Sequence, residues 1–228
     1  FGVAGSDEVP GITVDGPSAS GKGTLAAALA DRLGYHLLDS GVLYRATGLV
    51  ALQDGIDGGD EAGLAAIAGS LDIRFDGDRV VLRGQDVSDA VRGESAGQMA
   101  SRVSVHPAVR RSLNALQLSF RRAPGLVADG RDMGTAVFPD AALKVFLTAS
   151  AAERALRRHK QLISKGIDAT ISTLRADLEA RDERDRSRAA SPLMTARDAL
   201  KLDNSAMTIE QSVDQVLDWW ARRRPFGA

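Results

Sequence analysis

A glycine-rich turn near the start of the chain restricts its possible folds more than any other feature. The turn consists of Gly16, Pro17, Ser18, Ala19, Ser20, Gly21, Lys22, Gly23 and Thr24. It stands between an apolar run, Gly11–Val14, and a helical pattern, Leu25–Leu33. This order predicts a phosphate-binding loop, in which backbone N–H groups and a helix N-terminus face an anion. The alternative, a fortuitous glycine turn, is disfavoured by the strand–turn–helix context.

Two side chains of this loop have the chemistry for a nucleotide. Lys22 is placed to reach the β- and γ-phosphates, and the Thr24 hydroxyl to approach Mg²⁺. The spacing departs from the common pattern because Gly23 separates the lysine from the threonine. A GTPase would also need an Asn/Thr-Lys-x-Asp segment to read guanine, and the chain contains none. The sequence therefore predicts a nucleotide-binding protein that is not a G protein.

Five short apolar runs alternate with helical patterns along the chain. They are Gly11–Val14, His36–Leu38, Gly125–Ala128, Leu143–Leu147 and Ala199–Leu202. This alternation is typical of a parallel sheet covered by helices on both faces. Ligands bind at the carboxyl ends of such strands, where this chain carries Asp15, Asp39, Asp129, Thr148 and the pair Asp203-Asn204. We expect a three-layer α/β fold of the P-loop type with a five-stranded parallel sheet.

One stretch interrupts the alternation. Residues 71–75 and 79–83 are β-rich and are joined by Asp76-Gly77-Asp78, which predicts a hairpin. Helical patterns follow at 94–104 and 107–122, and another at 208–223. We therefore expect a core domain of residues 11–69 and 125–228, and an inserted lobe of residues 70–124 with a small antiparallel sheet. Residues 1–10 are interpreted as a disordered leader without a signal-peptide pattern.

Composition excludes several classes of protein. The chain has no cysteine, which rules out disulfides and thiolate chemistry and fits a reducing cytoplasm. The net charge of −1 gives no global attraction to nucleic acid or to an anionic membrane. No apolar run approaches the roughly 20 residues of a membrane-spanning helix. We expect a cytoplasmic monomer whose partners are small molecules, neither nucleic acid nor membrane.

Three further segments carry a family resemblance. They are residues 37–41 with Tyr44-Arg45, residues 129–134 (Asp-Gly-Arg-Asp-Met-Gly), and residues 181–188 (Arg-Asp-Glu-Arg-Asp-Arg-Ser-Arg). Together with the Gly-Lys-Gly-Thr ending of the loop, they are similar to bacterial cytidylate kinases of the nucleoside monophosphate kinase family. The resemblance runs from about Gly11 to the final helix. It implies ATP-dependent phosphorylation of CMP and dCMP with Mg²⁺, in a pathway of pyrimidine metabolism.

The resemblance also implies a role for each matching residue. The loop would bind the ATP phosphates, residues 70–124 would bind the monophosphate, and residues of about 153–170 would form a short helical lid. The residues implied in catalysis are Lys22, Arg131, Arg157, Arg158 and Arg181. The residues implied in CMP binding are Ser40, Tyr44, Arg45, Ser101, Arg110, Arg131, Asp132, Arg181, Asp185 and Arg188. Thr24 and Asp129 would hold Mg²⁺, in part through water.

Several of these residues have a second interpretation from the sequence alone. Arg181, Arg184, Asp185 and Arg188 would share one face of a helix, which also fits a solvated, salt-bridged surface. Asp129 and Asp39 follow strands, where an Asp also caps a helix or closes a turn. Asp15 is interpreted as fixing the phosphate loop.

Three functions remain open on these grounds. The first is the CMP and dCMP kinase. The second is a kinase for UMP, AMP or another small acceptor. The third is a non-catalytic nucleotide-binding module, which would not need the many arginines found here.

Overall fold

The computed structural model describes residues 9–76 and 79–223 of the chain. In chain order its elements are β1 (Gly11–Asp15), α1 (Lys22–Leu33), β2 (His36–Asp39), α2 (Ser40–Gln53), α3 (Glu61–Gly69), β3 (Ile73–Asp76), β4 (Arg79–Leu82), β5 (Gln85–Asp86), α4 (Ser88–Arg92), α5 (Glu94–Val103), α6 (Pro107–Ser119), β6 (Leu126–Gly130), a π-helical turn (Met133–Val137), β7 (Leu143–Thr148), α7 (Ala151–Ser164), α8 (Ile171–Ser187), β8 (Leu200–Asp203) and α9 (Ile209–Arg223). The leader predicted for residues 1–10 lies almost wholly outside the described residues.

The main sheet has five strands in the order β2-β6-β1-β7-β8. β1 pairs in parallel with β6 and β7, and β7 pairs in parallel with β8. Every residue of β1 and β6 is buried, as expected for central strands covered on both faces. Each of the five predicted apolar runs forms a strand of this sheet, and the predicted α/β P-loop fold class is confirmed.

The carboxyl ends of the central strands lie at one edge of the sheet. Asp15, the last residue of β1, is in register with Gly130 of β6 and with Phe146 of β7. Thr148 at the end of β7 is in register with Asp203 at the end of β8. The loops that follow these strands therefore emerge together, where ligands bind in sheets of this kind.

Two compact units divide the chain. Unit 1 contains the described residues up to His36 and from Arg122 onward, and unit 2 contains Leu37–Arg121. Unit 2 thus begins well before the predicted insertion of residues 70–124. The reason is packing: α2 packs against α5 and α3 packs against α6, so that Leu43 and Leu64 are fully buried.

The small antiparallel sheet of unit 2 contains the predicted hairpin. β3 and β4 pair in register from Ile73–Leu82 to Asp76–Arg79, and the two turn residues, 77 and 78, lie outside the described residues. A third strand, β5, extends the sheet to the order β3-β4-β5. β5 has two residues, which are too few to give a sequence pattern.

None of the helices in the described part of the chain is both long enough and apolar enough to span a membrane.

Candidate active site

The phosphate loop is shaped by two residues with left-handed backbone conformations. Gly21 has a φ of 86°, which glycine adopts without a steric penalty, and Ala19 has a φ of 56°. Gly21 is the N-cap of α1, and no side chain caps this helix. The first N–H groups of α1 are therefore oriented toward the loop, where an anion would receive them together with the helix dipole.

Side chains of the loop add polar groups to this backbone cradle. The Nζ of Lys22 lies 3.4 Å from the carbonyl oxygen of Pro17, so the side chain folds back over the loop. The hydroxyls of Ser18 and Ser20 are buried and lack a hydrogen-bond partner within the described part of the chain. Buried hydroxyls are ordinarily satisfied, and these two fit a loop that receives a polar ligand.

Two arginines of α7 hold the loop from outside. Arg154 donates from Nη1 to the carbonyl oxygen of Ser18 at 3.0 Å, and Arg157 from Nη1 to that of Ser20 at 3.3 Å. Asn204, which follows β8, donates from Nδ2 to the same Ser20 carbonyl at 2.8 Å. Because carbonyl oxygens are engaged on the outer side, the N–H groups of the loop are left to face inward.

Arg154 is a buried residue that the sequence patterns did not identify. It is 3% exposed and forms a two-pronged ion pair with Asp182 of α8, which is 6% exposed. Its Nε also donates to the carbonyl oxygen of Ala149 at 3.1 Å. Arg154 therefore links the phosphate loop to both α7 and α8. The only feature of the sequence that could have pointed to Arg154 is its position three residues before Arg157.

The predicted lid arginines lie on α7 as expected. Arg157 is half-buried, and its Nη2 donates to the carbonyl oxygen of Asn204 at 2.7 Å. Its Nη1 also donates to the Asn204 side-chain oxygen at 3.1 Å. Arg158 is half-buried on the same helix. Asn204 was visible in the sequence only as a strand-exit residue, and the structure gives it a role in supporting the loop.

The carboxylate of Asp129 lies beside the phosphate loop. Asp129 is 3% exposed in β6. A Cβ atom at Gly23 would lie 3.4 Å from its Oδ2, so the carboxylate reaches the residue that precedes Thr24. Carboxylate and hydroxyl oxygens suit Mg²⁺, which proteins usually bind through one or two carboxylates plus substrate phosphates. The described residues contain no cluster of three acidic or histidine side chains that could hold a metal without a phosphate.

Asp15 does not bond to the phosphate loop, which corrects its interpretation from the sequence. Its Oδ1 accepts from the backbone N–H of Met133 at 2.8 Å, and its Oδ2 from that of Gly134 at 2.7 Å. Burial raises the pKa of Asp15 to about 6, although these two hydrogen bonds act in the opposite direction. The loop is instead supported by the side chains of α7 and by Asn204.

Arg131, Asp185 and Arg188 form a buried charged cluster. Arg131 follows β6, and its Nε donates to Oδ2 of Asp185 on α8. The Nη1 of Arg188 lies 3.9 Å from Oδ1 of the same carboxylate. All three side chains are at most 13% exposed. The neighbouring Asp132 is also buried. The structure thus brings together four of the residues predicted to bind CMP.

The charged face predicted on α8 is only partly present. Asp182 and Asp185 are buried and Arg181 is half-buried, whereas Arg184 is exposed. The helix ends at Ser187, and Arg188 has an extended backbone with a ψ of 137°. The prediction that all four residues share one helical face is therefore wrong for Arg188, while Arg184 lies on α8 with an exposed side chain. Arg188 reaches Asp185 from beyond the helix end, and its Nε donates to the carbonyl oxygen of Ser191 at 2.6 Å.

Unit 2 contains the other predicted CMP-binding residues, and side-chain contacts hold each of three in place. Ser40 donates from Oγ to Oε1 of Gln117 at 2.8 Å, and both residues are buried. The Arg110 guanidinium lies over the Tyr44 ring, 5.5 Å from its centre.

Arg45 and Ser101 complete the predicted set in unit 2. Arg45 donates from Nη1 to the carbonyl oxygen of Val91 at 2.9 Å, and Ser101 is half-buried on α5.

Asp39 caps α2 by accepting from the backbone N–H of Val42 at 3.1 Å, which confirms the capping interpretation. No sequence pattern indicated Gln117, because it stands 77 residues from its partner, Ser40.

The parallel sheet and the loop at the end of β1 define a phosphate-loop enzyme of the α/β class. Comparison with known proteins assigns the family. The cytidylate kinase family model matches residues 12–222. A cytidylate kinase of Ralstonia pickettii is 58% identical over 96% of this chain and 94% of its own length. One of Cupriavidus necator is 59% identical over 94% of this chain and 96% of its own length. The chain belongs to the cytidylate kinase family.

Proposed function

We propose that the protein transfers the γ-phosphoryl group of ATP to CMP and dCMP, giving CDP and dCDP. The observation that carries this proposal is the buried cluster of Arg131, Asp185 and Arg188, which lies at the ligand-binding edge of a sheet that also carries a phosphate loop. Two polyanions repel each other unless cations stand between and around them. A phosphate loop with buried arginines at the same edge supplies those cations.

On the donor side, we assign the ATP phosphates to the loop. The N–H groups after Gly21 and the Nζ of Lys22 would bind the β- and γ-phosphates. Arg157, Arg158 and Arg181 would neutralise charge on the phosphoryl group during transfer. Arg157 already contacts the Ser20 carbonyl oxygen, so its guanidinium lies close to the loop.

Magnesium fits the oxygen atoms that surround the loop. The Thr24 hydroxyl and the Asp129 carboxylate, in part through water, would hold it together with ATP phosphates. When bound, Mg²⁺ would neutralise the developing charge on the transferred phosphoryl group. Asp129 is buried at the end of β6 and its carboxylate faces Gly23, which supports this assignment.

On the acceptor side, we assign the CMP phosphate and the sugar to charged groups of unit 1. Arg131 would bind the phosphate through two parallel hydrogen bonds. Arg181 and Asp185 would contact the sugar and phosphate, while Asp132 and Arg188 would contact the base. Asp185 is already held between Arg131 and Arg188, so it would present an oriented carboxylate.

From unit 2, we assign Ser40, Tyr44, Arg45, Ser101 and Arg110 to the acceptor. Cytosine offers an amino donor and two acceptors, so an oxygen of Ser or Asp together with an Arg donor matches its edge. Uracil reverses part of this pattern and would leave polar groups unpaired, at roughly 1–3 kcal/mol each. Arg110 is kept over the Tyr44 ring, which supports its use as a fixed donor.

The reaction needs positioning rather than a covalent intermediate. The attacking group is a phosphate oxygen of CMP, which is already anionic, so no strong general base is required. Holding the two phosphates in line would make the step effectively unimolecular, an effect of roughly 7–11 kcal/mol. The expected setting is pyrimidine metabolism in the cytoplasm, with the protein as a monomer that binds no nucleic acid.

A monophosphate panel tests the proposal. Purified protein with ATP and Mg²⁺ is assayed with CMP, dCMP, UMP and AMP, and the diphosphates are quantified by chromatography. We expect CDP and dCDP, with weaker turnover of UMP. A Lys22→Ala variant prepared identically controls for contaminating kinases and should lose about 10²–10³-fold in kcat. Efficient turnover of AMP without turnover of CMP or dCMP would overturn the proposal.

A further inference from the structure

The segment that follows β6 is attached to β1 by a single carboxylate. Asp15 accepts from the N–H of Met133 with one oxygen and from the N–H of Gly134 with the other. The partners stand 118 and 119 residues further along the chain. Because two successive N–H groups are held by two oxygens of one planar group, both the position and the direction of the backbone are fixed.

Packing restricts the same segment further. A Cβ atom on Gly134 would lie 2.9 Å from Oγ1 of Thr13, 3.2 Å from Cδ of Lys144 and 3.3 Å from Oδ2 of Asp15. Only a residue without a side chain allows the backbone to approach β1 this closely. The segment is also a π-helical turn, Met133–Val137, a rare conformation that often occurs at functional sites.

The two residues immediately before this turn carry the groups assigned to the acceptor. Arg131 pairs with Asp185, and Asp132 is 5% exposed. The carbonyl oxygen of Asp132 accepts from the N–H groups of Ala136 and Val137, which ties it into the turn. Movement of Met133 and Gly134 would therefore move both acceptor-binding side chains.

We propose that Asp15 is a positioning residue for acceptor binding: it anchors Met133 and Gly134 and so fixes the placement of Arg131 and Asp132. This inference rests on the proposed function, which assigns those two side chains to CMP. Asp15 itself touches no substrate in this role. The residue lies one position before the phosphate loop, yet it would serve the acceptor and not ATP.

The environment of Asp15 gives the anchor a pH dependence. Burial is the main cause that raises its pKa to about 6, nearby Asp132 acts in the same direction, and Lys22 of α1 acts against it. Lys144 of β7 also lies near the turn, and its Nζ binds Asp198 at 3.0 Å. Once protonated, the carboxyl keeps one good acceptor oxygen, so one of the two anchoring hydrogen bonds weakens.

The test compares wild type with Asp15→Asn. This variant keeps the shape of the side chain but has only one of the two acceptor oxygens. We expect the KM for CMP to rise by up to about 10²-fold, as for a misplacement on the order of 1 Å, and the KM for ATP to stay within about two-fold. An equal rise in both KM values would assign Asp15 to the phosphate loop and overturn the inference. An unchanged KM for CMP in a folded variant would overturn it as well.

A pH profile separates anchoring from a merely structural role. The second ionisation of the CMP phosphate, near pH 6, lowers kcat/KM on the acid side in any variant. Protonation of Asp15 adds a second such ionisation in wild type, so the acid limb of log kcat/KM should have a slope of about two. In Asp15→Asn the slope should fall to about one. Identical slopes would contradict the role.

Two further variants keep the test decisive. Gly134→Ala leaves Asp15 intact but pushes the turn away from Thr13, and should raise the KM for CMP selectively even if Asp15→Asn does not fold. Asp60→Asn is the matched control, since Asp60 also accepts a backbone N–H, that of Gly63 at 3.0 Å, at an exposed helix start. It should leave all kinetic constants unchanged. If wild type turns over no CMP, both the proposed function and this inference fail. If wild type turns over CMP and Gly134→Ala has an unchanged KM for CMP, only this inference is overturned.

Discussion

The phosphate loop of unit 1 and the residues of unit 2 that we assign to the acceptor are held in place in opposite ways. The loop is one continuous segment whose backbone N–H groups we assign to phosphate, with Gly21 and Ala19 setting its path. In unit 2 the groups are side chains, each held by a residue far along the chain: Ser40 by Gln117 and Arg45 by Val91. Phosphate is common to all nucleotides, so backbone N–H groups suffice for it. Selecting one monophosphate needs side chains from several elements.

This difference predicts how substitutions divide. Changes that affect the loop or its supports should alter ATP binding and transfer for every acceptor. Changes in the side-chain pairs of unit 2 should alter the KM for CMP and leave the KM for ATP unchanged. Three of the following four experiments test this division and one tests the buried Asp15; they stand in order of decreasing expected effect.

The largest effect is expected from the support of the loop. Arg154→Ala leaves Asp182 buried without its partner and should lower the free energy of unfolding by about 3–5 kcal/mol. The double variant Arg154→Met, Asp182→Leu removes both charges and should recover most of that stability. It should still show a raised KM for ATP, because the Ser18 carbonyl oxygen has lost its donor. Urea unfolding and steady-state kinetics measure both, and wild-type stability in Arg154→Ala would refute the expectation.

The next effect concerns Asp15, whose raised pKa links stability to pH. The folded protein binds this proton more tightly than the unfolded chain does. Its stabilising contribution is therefore complete below pH 3.8 and is lost as the pH rises through about 6. Relative to Asp15→Asn, wild type should gain about 2 kcal/mol of unfolding free energy between pH 7 and pH 4. Urea unfolding at several pH values measures this, and parallel curves for the two proteins would exclude it.

A smaller effect is expected from Gln117 in unit 2. Gln117→Leu removes the acceptor of the Ser40 hydroxyl and leaves that buried group unpaired, which should raise the KM for CMP about ten-fold. The KM for ATP should not change. Ser119→Ala on the same helix is the control, since it removes only an exposed local hydrogen bond to the Leu116 carbonyl oxygen. A matching rise in the KM for ATP would break the contrast between the two regions.

The smallest effect is expected from the ring beneath Arg110. Tyr44→Leu removes the cation–π contact and should raise the KM for CMP about five-fold. Tyr44→Phe keeps the ring and should remain close to wild type. If Tyr44→Phe raises the KM for CMP as much as Tyr44→Leu does, the tyrosine hydroxyl and not the ring positions Arg110.

The fold followed from the sequence because its signals are local. Each strand of the main sheet is a short apolar run, and the hairpin is marked by an Asp-Gly pair. The extent of unit 2 did not follow, since it depends on α2 and α3 packing against α5 and α6. Side-chain periodicity shows that a helix has an apolar face but not which helix covers it.

The site divides in the same way. The loop and its flanking helix are one contiguous motif, so the strand, turn and helix of this segment could be predicted. The roles of Arg154, Asn204 and Gln117 were missed because the serines that they contact are 77 to 184 residues away. Asp15 was assigned to the wrong segment for the same reason. Its position next to the loop in the sequence suggested that it bonds to the loop, while its hydrogen bonds go to Met133 and Gly134 after β6. The roles assigned to the individual residues in CMP binding stay predictions.

The ion pair between Arg154 and Asp182 also separates a firmly held part of α7 from a lightly held part. The pair fastens α7 to α8 near the sheet, and the bonds from Arg157 to Asn204 add a second fastening one turn further out. Beyond them the tip is lightly held, with Ile163, Ile167 and Ile171 all exposed. We therefore expect the lid predicted for residues of about 153–170 to bend past Arg157, which would let its tip move while the phosphate loop keeps its shape.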